Sequence, residues 1–462
     1  MFWSIAAIFL GFILLLILYL RTGKKNRVCV LVLGDVGRSP RMQNHALSCA
    51  MAGYAVDLVG FGGSSPLKEI LKHDKIKLIR IGDFPGFLTY LPRLLYYAVK
   101  AVFQSVQLFV ILFSSAINCS HILVQNPPAI PSLAVAWLVS LLCNCKLLID
   151  WHNFGYTILA LGVGTPDHLL VRIAKWYEQC FGKMASGNFC VTEAMREDLQ
   201  NNWCITASTL YDRPPERFKP TDVMSQHKLF MKLSSDYPVF GQTKSLPEFA
   251  EKVVEEVSAM TVKTNKGSIH QREDRPALIV SSTSWTEDED FSILLDALEG
   301  YERSVEKEKG LPNLLCAITG KGQQKDYYKK LISEKNLKHV SICTPWLDPE
   351  DYPKLLGSAD FGVCLHKSSS GLDLPMKVVD MFGSGLPVCA IHFNCLHELV
   401  KHNENGLVFK DSKQLTQQIE ELLKNFPVKN TKLQEFRQNL KEFQQIRWEE
   451  TWNQVVLPVI RR

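Results

Sequence analysis

Residues 2–20 form an apolar stretch in which Ser4 and Tyr19 are the only polar side chains. At about 1.5 Å rise per residue, such a stretch crosses a hydrocarbon core of about 30 Å as a single helix. A cleaved signal peptide would want a basic segment before the apolar run and small residues at a cleavage site after it. This chain instead carries Arg21, Lys24, Lys25 and Arg27 behind the run. The pattern therefore predicts a membrane anchor with a basic flank over residues 1–27, and the positive-inside rule keeps that flank and the remainder of the chain in the cytosol.

Beyond the anchor, short continuous apolar runs alternate with helix-length segments. The runs at 28–33, 55–59, 77–81, 121–125, 146–150 and 187–192 predict strands. Strands separated by helices imply right-handed βαβ units around a parallel sheet, giving an N-terminal Rossmann-like domain over residues 28–213. Residues 214–275 are rich in proline and charge and predict a linker with an inserted loop. Alternation restarts at 277–281 and continues through 314–319, 340–343, 361–365, 387–391 and 406–409, a second doubly wound domain over residues 276–430. Residues 431–462 read as a C-terminal helix, with Trp448 and Trp452 four apart and so on one face. The fold class is α/β: two open parallel sheets whose carboxyl ends, where such sheets bind ligands, are expected to share a cleft. The apolar region 87–113, interrupted by Arg93, Lys100, Gln104 and Gln107, reads either as an amphipathic helix on the sheet or as an interfacial helix on the bilayer.

Composition narrows the class. With 52 Lys+Arg against 47 Asp+Glu over 462 residues, the net charge of +5 is slight, and nucleic acid is not an expected partner. The 13 cysteines are odd in number and lie mostly inside apolar runs, which favours a reducing compartment. Cys143 and Cys145 stand close together without a second ligand pair, so no zinc site is expected. Asn118-Cys119-Ser120 matches a glycosylation acceptor that a cytosolic domain would never use.

Candidate chemistry sits at strand ends. After the first run, Gly34-Asp35-Val36-Gly37-Arg38-Ser39-Pro40-Arg41 opens a helix. Its glycines, helix N-terminus and two arginines suit an anionic phosphate. Asp150-Trp151-His152-Asn153-Phe154-Gly155-Tyr156 ends another strand, where His152 can contact sugar hydroxyls or move protons, with Asn153 and Tyr156 beside it.

In the second domain, Ser284 and Trp285 follow a strand and precede the acidic run Glu287 to Asp290, read here as the first turn of a helix. Gly320-Lys321-Gly322 ends the next strand and can meet a diphosphate. The densest signal runs from His366 through Ser370-Gly371-Leu372-Asp373 to Lys377 and Asp380. A polar glycine loop with a lysine can hold a diphosphate, and a carboxylate one turn on can accept from ribose hydroxyls.

Taken together, the anchor and the segments LGDVGRSPRMQ, IDWHNFGY, TEAMREDL, SSTSWTEDEDF, TGKG and SSGLDLPMKVVDMFGSGLP resemble the chitobiosyldiphosphodolichol β-mannosyltransferases over nearly the whole chain. The resemblance implies a GT-B fold and inverting transfer of mannose from GDP-mannose to GlcNAc₂-diphosphate-dolichol at the endoplasmic reticulum membrane, with other mannosyltransferases of the same pathway as partners. Related nucleotide-sugar transferases often carry two glutamates eight positions apart; here the second aligns with Asp380, and the first falls on Leu372 beside Asp373. On this reading the GDP diphosphate meets the Gly371 loop and Lys377, the ribose meets Asp380, and the guanine lies near Trp346. Arg38 and Arg41 face the acceptor diphosphate. Asp35 is the expected base, with His152 the alternative and sugar contact. Lys321, Lys377 and helix N-termini supply the charge stabilisation, so no cofactor or metal is expected to be required, and a divalent metal is stimulatory at most.

Overall fold

The computed structural model describes residues 26–86, 90, 92–241, 254–286, 289–307, 310–427 and 431–462. The expected anchor and most of its basic flank lie outside them. The chain divides into two compact units, one made of the chain up to Asp212 together with Trp448–Arg462, the other of Arg213–Arg447.

The first unit is built on seven parallel strands: β1 Arg27–Asp35, β2 Ala55–Phe61, β3 Ile76–Ile81, β4 His121–Asn126, β5 Lys146–Trp151, β6 Gly187–Cys190 and β7 Ser208–Thr209. They lie in the order β3-β2-β1-β4-β5-β6-β7. The central strands are buried on both faces, which is why they read as unbroken apolar runs instead of alternating ones. The intervening helices are α1 Pro40–Met51, α2 Lys68–Lys72, α3 Arg93–Ala116, α4 Ser132–Cys143, α5 Gly155–Val163, α6 Leu169–Met184 and α7 Glu193–Trp203.

Two expected boundaries change. Residues 214–241 and 254–275 are a folded part of the second unit, not a linker: helix α8 (Val223–Asp236) packs with a small antiparallel sheet of β8 Val254–Val257, β9 Thr261–Thr264 and β10 Ile269–Gln271. His227 Nδ1 and Thr261 Oγ1 lie 2.9 Å apart in that contact. Residues 431–462 are three helices, not one. Thr431–Gln445 belongs to the second unit, whereas Trp448–Val455 and Leu457–Arg461 return to the first, where Trp448, Trp452 and Ile460 pack into the core beside α1. Pro458 at the start of the last helix fits a first-turn position.

The main sheet of the second unit repeats the plan with six parallel strands: β11 Ala277–Ser282, β12 Leu314–Thr319, β13 Val340–Cys343, β14 Phe361–Cys364, β15 Val388–Ile391 and β16 Gly406–Phe409. Their order is β13-β12-β11-β14-β15-β16. The helices that alternate with them are α9 Ser292–Lys307, α10 Lys325–Glu334, α11 Asp351–Leu356, α12 Met376–Gly383 and α13 Ser412–Leu423. In both parallel sheets the order reverses beside the first strand, between β1 and β4 and between β11 and β14, which is where a doubly wound sheet opens a crevice at its carboxyl edge.

Candidate active site

In the first unit the chemistry centres on Asp150, fully buried at the carboxyl end of β5. Its Oδ2 accepts from His152 Nε2 at 2.7 Å, from Arg41 Nε at 2.8 Å and from His45 Nε2 at 3.1 Å, while Oδ1 accepts from Arg41 Nη2 at 2.9 Å. Burial alone would push this carboxyl up; the Arg41 guanidinium and the flanking imidazoles overcome it and hold Asp150 well below the usual carboxylate range. His152, with its side chain 22% exposed, is the member that reaches solvent. With Nε2–H directed at a carboxylate, Nδ1 is left as the basic nitrogen.

Arg41 was expected on an acceptor phosphate; the structure corrects this. The side chain is buried, and beyond Asp150 its Nη1 donates to Asp212 Oδ1 at 2.9 Å and to the Leu210 carbonyl at 2.8 Å. Its fork is committed to an internal ion pair. Arg38 is the arginine that stays outside, its side chain 77% exposed, with Nε donating to Ser64 Oγ at 3.2 Å.

Asp35 also differs from expectation. Its Oδ1 accepts from Gly37 N–H at 3.0 Å, its Oδ2 accepts from Ser64 N–H at 2.8 Å, and Arg38 stands 3.6 Å away. Slight burial works against ionisation, but the Ser64 and Gly37 hydrogen bonds prevail and lower its pKa. A carboxylate so occupied is a weak base that shapes the loop. Gly37 is required here, because a Cβ would lie 2.5 Å from the Ser64 carbonyl oxygen, while Gly34 meets only ordinary contact. Asn153 accepts from Phe154 N–H through Oδ1, and Tyr156 is half-buried and stacked on Phe154. The buried Glu178, unforeseen in the sequence, accepts from the N–H groups of Gly155 and Tyr156 and from Asn126 Nδ2, fixing the start of α5 beside His152.

In the second unit the focus is Glu289, 3% exposed. The sequence placed it in a solvated helix start; Asp290 plays that part instead, accepting from Ser292 N–H at 3.1 Å. Glu289 turns inward, pairs with Lys377, accepts from the Thr283 hydroxyl and from Ser284 N–H at 2.9 Å, and lies 4.0 Å from His366. It thus ties the loop after β11 to the first turn of α12 across the crevice between β11 and β14. Trp285, expected as a donor contact, is core: 1% exposed, at φ 50°, and packed on Phe291 and Tyr328.

Gly320 and Gly322 are dictated by the neighbouring strand end. A Cβ on either would fall 1.8 Å from a carbonyl oxygen, of Thr283 or of Ser284, so these two loops run in contact and Lys321 is carried on an exposed tip. The following loop is held by Ser368, whose hydroxyl pairs with Asp373 and accepts from Gly371 N–H at 2.8 Å and Leu372 N–H at 3.2 Å. Ser370 Oγ lies 3.3 Å from Ser368 Oγ, and Gly371 has φ +74°, which its lack of a side chain permits. His366 Nε2 is 3.8 Å from Asp373. Asp380 sits one turn beyond Lys377 on α12, and Trp346 is an exposed indole after β13.

Two Rossmann-like sheets, each with its polar and charged side chains at the strand carboxyl ends, define a glycosyltransferase of the GT-B class. A solved sucrose-phosphate synthase from Thermosynechococcus elongatus matches 95% of this chain and 99% of its own, with TM-score 0.64 at 14% identity, which speaks to the fold. Residues 262–443 match the glycosyl transferases group 1 family. The chitobiosyldiphosphodolichol beta-mannosyltransferase of Homo sapiens is 54% identical over 442 residues, covering 95% of this chain and 94% of its own. The UDP-glycosyltransferase TURAN of Arabidopsis thaliana is 45% identical over 459 residues, covering 95% and 98%. The chain belongs to the chitobiosyldiphosphodolichol beta-mannosyltransferase family.

Proposed function

We propose that this protein transfers mannose from GDP-mannose to GlcNAc₂-diphosphate-dolichol, forming Man-β-1,4-GlcNAc₂-diphosphate-dolichol on the cytosolic face of the endoplasmic reticulum. The observation that carries the reading is 54% identity along 95% of the chain to a protein named for that acceptor. The donor binds the second unit: its diphosphate lies against the Ser370-Gly371 loop, Lys377 and the first turn of α12, and its ribose hydroxyls donate to Asp380. Arg38 supplies the exposed cationic contact for the acceptor diphosphate.

Inversion needs one displacement. His152 Nδ1 takes the proton of the acceptor hydroxyl while Asp150 steadies the ring and the imidazolium that forms. The acceptor oxygen bonds to the anomeric carbon as the bond to the GDP oxygen breaks on the opposite face, and Lys377 with the N-terminal N–H groups of α12 stabilises the departing charge. Glu289 holds Lys377 in place and must yield part of it to the phosphate. This scheme needs no divalent metal; complete loss of turnover in chelator, restored by added metal, would overturn that part.

The test is transfer by the full chain in detergent from radiolabelled GDP-mannose to phytanyl-linked chitobiose diphosphate, with β-mannosidase release of the label. A donor based on UDP is the second reading, prompted by the name of the Arabidopsis relative. Transfer from a UDP-sugar and none from GDP-mannose would replace the donor, and transfer from neither would leave a catalytically inert, nucleotide-binding scaffold.

A further inference from the structure

Helix α3 shows one face inward, with Leu108, Leu112 and Ala116 buried against the sheet, and an apolar face outward: Leu95, Val102, Phe103, Val106 and Val110 are all exposed. Val106 lies three or four residues from Val102, Phe103 and Val110, and Leu95 lies two turns before Val102, so these side chains follow one stripe of the helix. Such a stripe on a single helix is not unusual. Here it does not stand alone, because α3 packs on α4, α4 on α6 and α6 on α5, and each of these also turns large apolar side chains to solvent. Leu138 and Leu141 do so on α4, and Leu169, Ile173 and Trp176 on α6. No residue of α5, Gly-Tyr-Thr-Ile-Leu-Ala-Leu-Gly-Val, is buried, and Leu161 is 62% exposed. A helix of that composition with nothing covering it is an unpaid cost in water.

Three observations select a lipid surface as the cover. First, charge: residues 95–184 hold five Lys or Arg (100, 146, 172, 175 and 183) against three Asp or Glu (150, 167 and 178), and Asp150 and Glu178 are buried, so the exposed charge of this stretch is mostly basic. A basic rim around an apolar face with Tyr97 and Trp176 in it suits an anionic bilayer interface. Second, reach: seven residue steps separate Leu20, the end of the apolar N-terminal run, from Arg27, the start of β1, a span of roughly 25 Å at most. Third, position: the Arg27 carbonyl accepts from Ser120 N–H at 2.8 Å and Ser120 Oγ at 3.1 Å, and Ser120 follows the carboxyl end of α3. The chain thus enters the first unit beside the end of its exposed apolar helix.

We infer that the outer faces of α3, α5 and α6 form one surface that lies in the bilayer interface, a second membrane contact besides the anchor. It holds the sheet edge carrying His152 at the membrane, since α5 starts three residues after His152. This places a lipid-borne substrate within reach, a role that rests on the proposed acceptor; the membrane contact itself does not.

The test places photoreactive benzoylphenylalanine at Val106, Leu161 or Ile173 of the full chain, reconstituted in phosphatidylcholine–phosphatidylserine vesicles, with Met51 and Leu71 as exposed apolar control sites on α1 and α2. Mass spectrometry should show lipid adducts at least tenfold above the controls. Equal yields at all five sites, or adducts chiefly to a second copy of the chain, would overturn the inference. In a separate measurement, Val102→Glu with Val106→Glu should raise the apparent KM at least fivefold for a bilayer-borne acceptor and leave it unchanged for a short-chain acceptor in solution. If neither acceptor turns over, the assigned reaction fails while the adduct result stands.

Discussion

The indole Nε1–H of Trp452 donates to His45 Nδ1 at 3.0 Å, joining residues 407 positions apart. An indole can only donate, so His45 Nδ1 is an acceptor and its Nε2 carries the proton given to Asp150. The C-terminal segment thereby fixes the tautomer of a histidine that orients the carboxylate behind His152. Trp452→Phe should cost about 1–2 kcal/mol in unfolding free energy from the lost buried hydrogen bond, and lower kcat several-fold with GDP affinity unchanged. Titration calorimetry with GDP beside single-turnover assays separates the two.

His152→Ala is expected to lower kcat at least about a hundredfold while leaving GDP binding intact. Asp35→Asn should cost less than about tenfold, since its oxygens serve Gly37 and Ser64. The reverse ranking in a steady-state assay would return the base to Asp35.

Lys377→Ala should reduce kcat/KM for GDP-mannose by about two orders of magnitude or more, the scale of a lost charge-stabilising contact. The KM for the acceptor should not move. Glu289→Gln frees Lys377 but loosens the Thr283–Ser284 loop, so GDP affinity should change by less than in Lys377→Ala. Equal losses would mean that the pair acts only as a strut.

Gly320→Ala and Gly322→Ala each push a Cβ to 1.8 Å from a backbone oxygen, and Gly320 also has φ +134°. Each should destabilise the second unit by several kcal/mol, on the scale of the larger point-mutant effects. Thermal unfolding should show a lowered second-unit transition, with the first unit unmoved.

Acid should weaken the first unit. Burial lowers His121 to about 4, with Lys146 adding to it, and burial also lowers His45. In the unfolded chain both take a proton near pH 6.5. Between about 6.5 and 4 the unfolded state thus binds more protons, and stability falls as pH falls through that window. His121 alone accounts for about 2–3 kcal/mol across it, so His121→Phe should flatten a plot of melting temperature against pH.

Both parallel sheets were legible because interior parallel strands are unbroken apolar runs; β12, β13 and β16 begin and end where the pattern ends. The small sheet β8–β10 was not, since its short strands carry exposed Glu255 and Glu256 and the half-buried Lys263, which read as linker. The site was legible as loops at strand ends but not as partnerships. Arg41 looks identical in sequence whether it meets phosphate or Asp150, because its partner lies 109 residues away. Glu289 hid in a run of acids, and only the fold shows that it turns inward while Asp290 serves the start of the next helix. Trp448 and Trp452 did announce a missing surface, which proved to be α1.

Because Trp448–Arg462 completes the core of the unit that holds β1, that unit cannot close during synthesis until residues 448–462 leave the ribosome. The intervening unit, contiguous from Arg213 to Arg447, is free to fold first. A nonsense change among codons 448–462 would therefore cripple the amino-terminal unit while leaving the sequence of the second unit, Arg213–Arg447, whole.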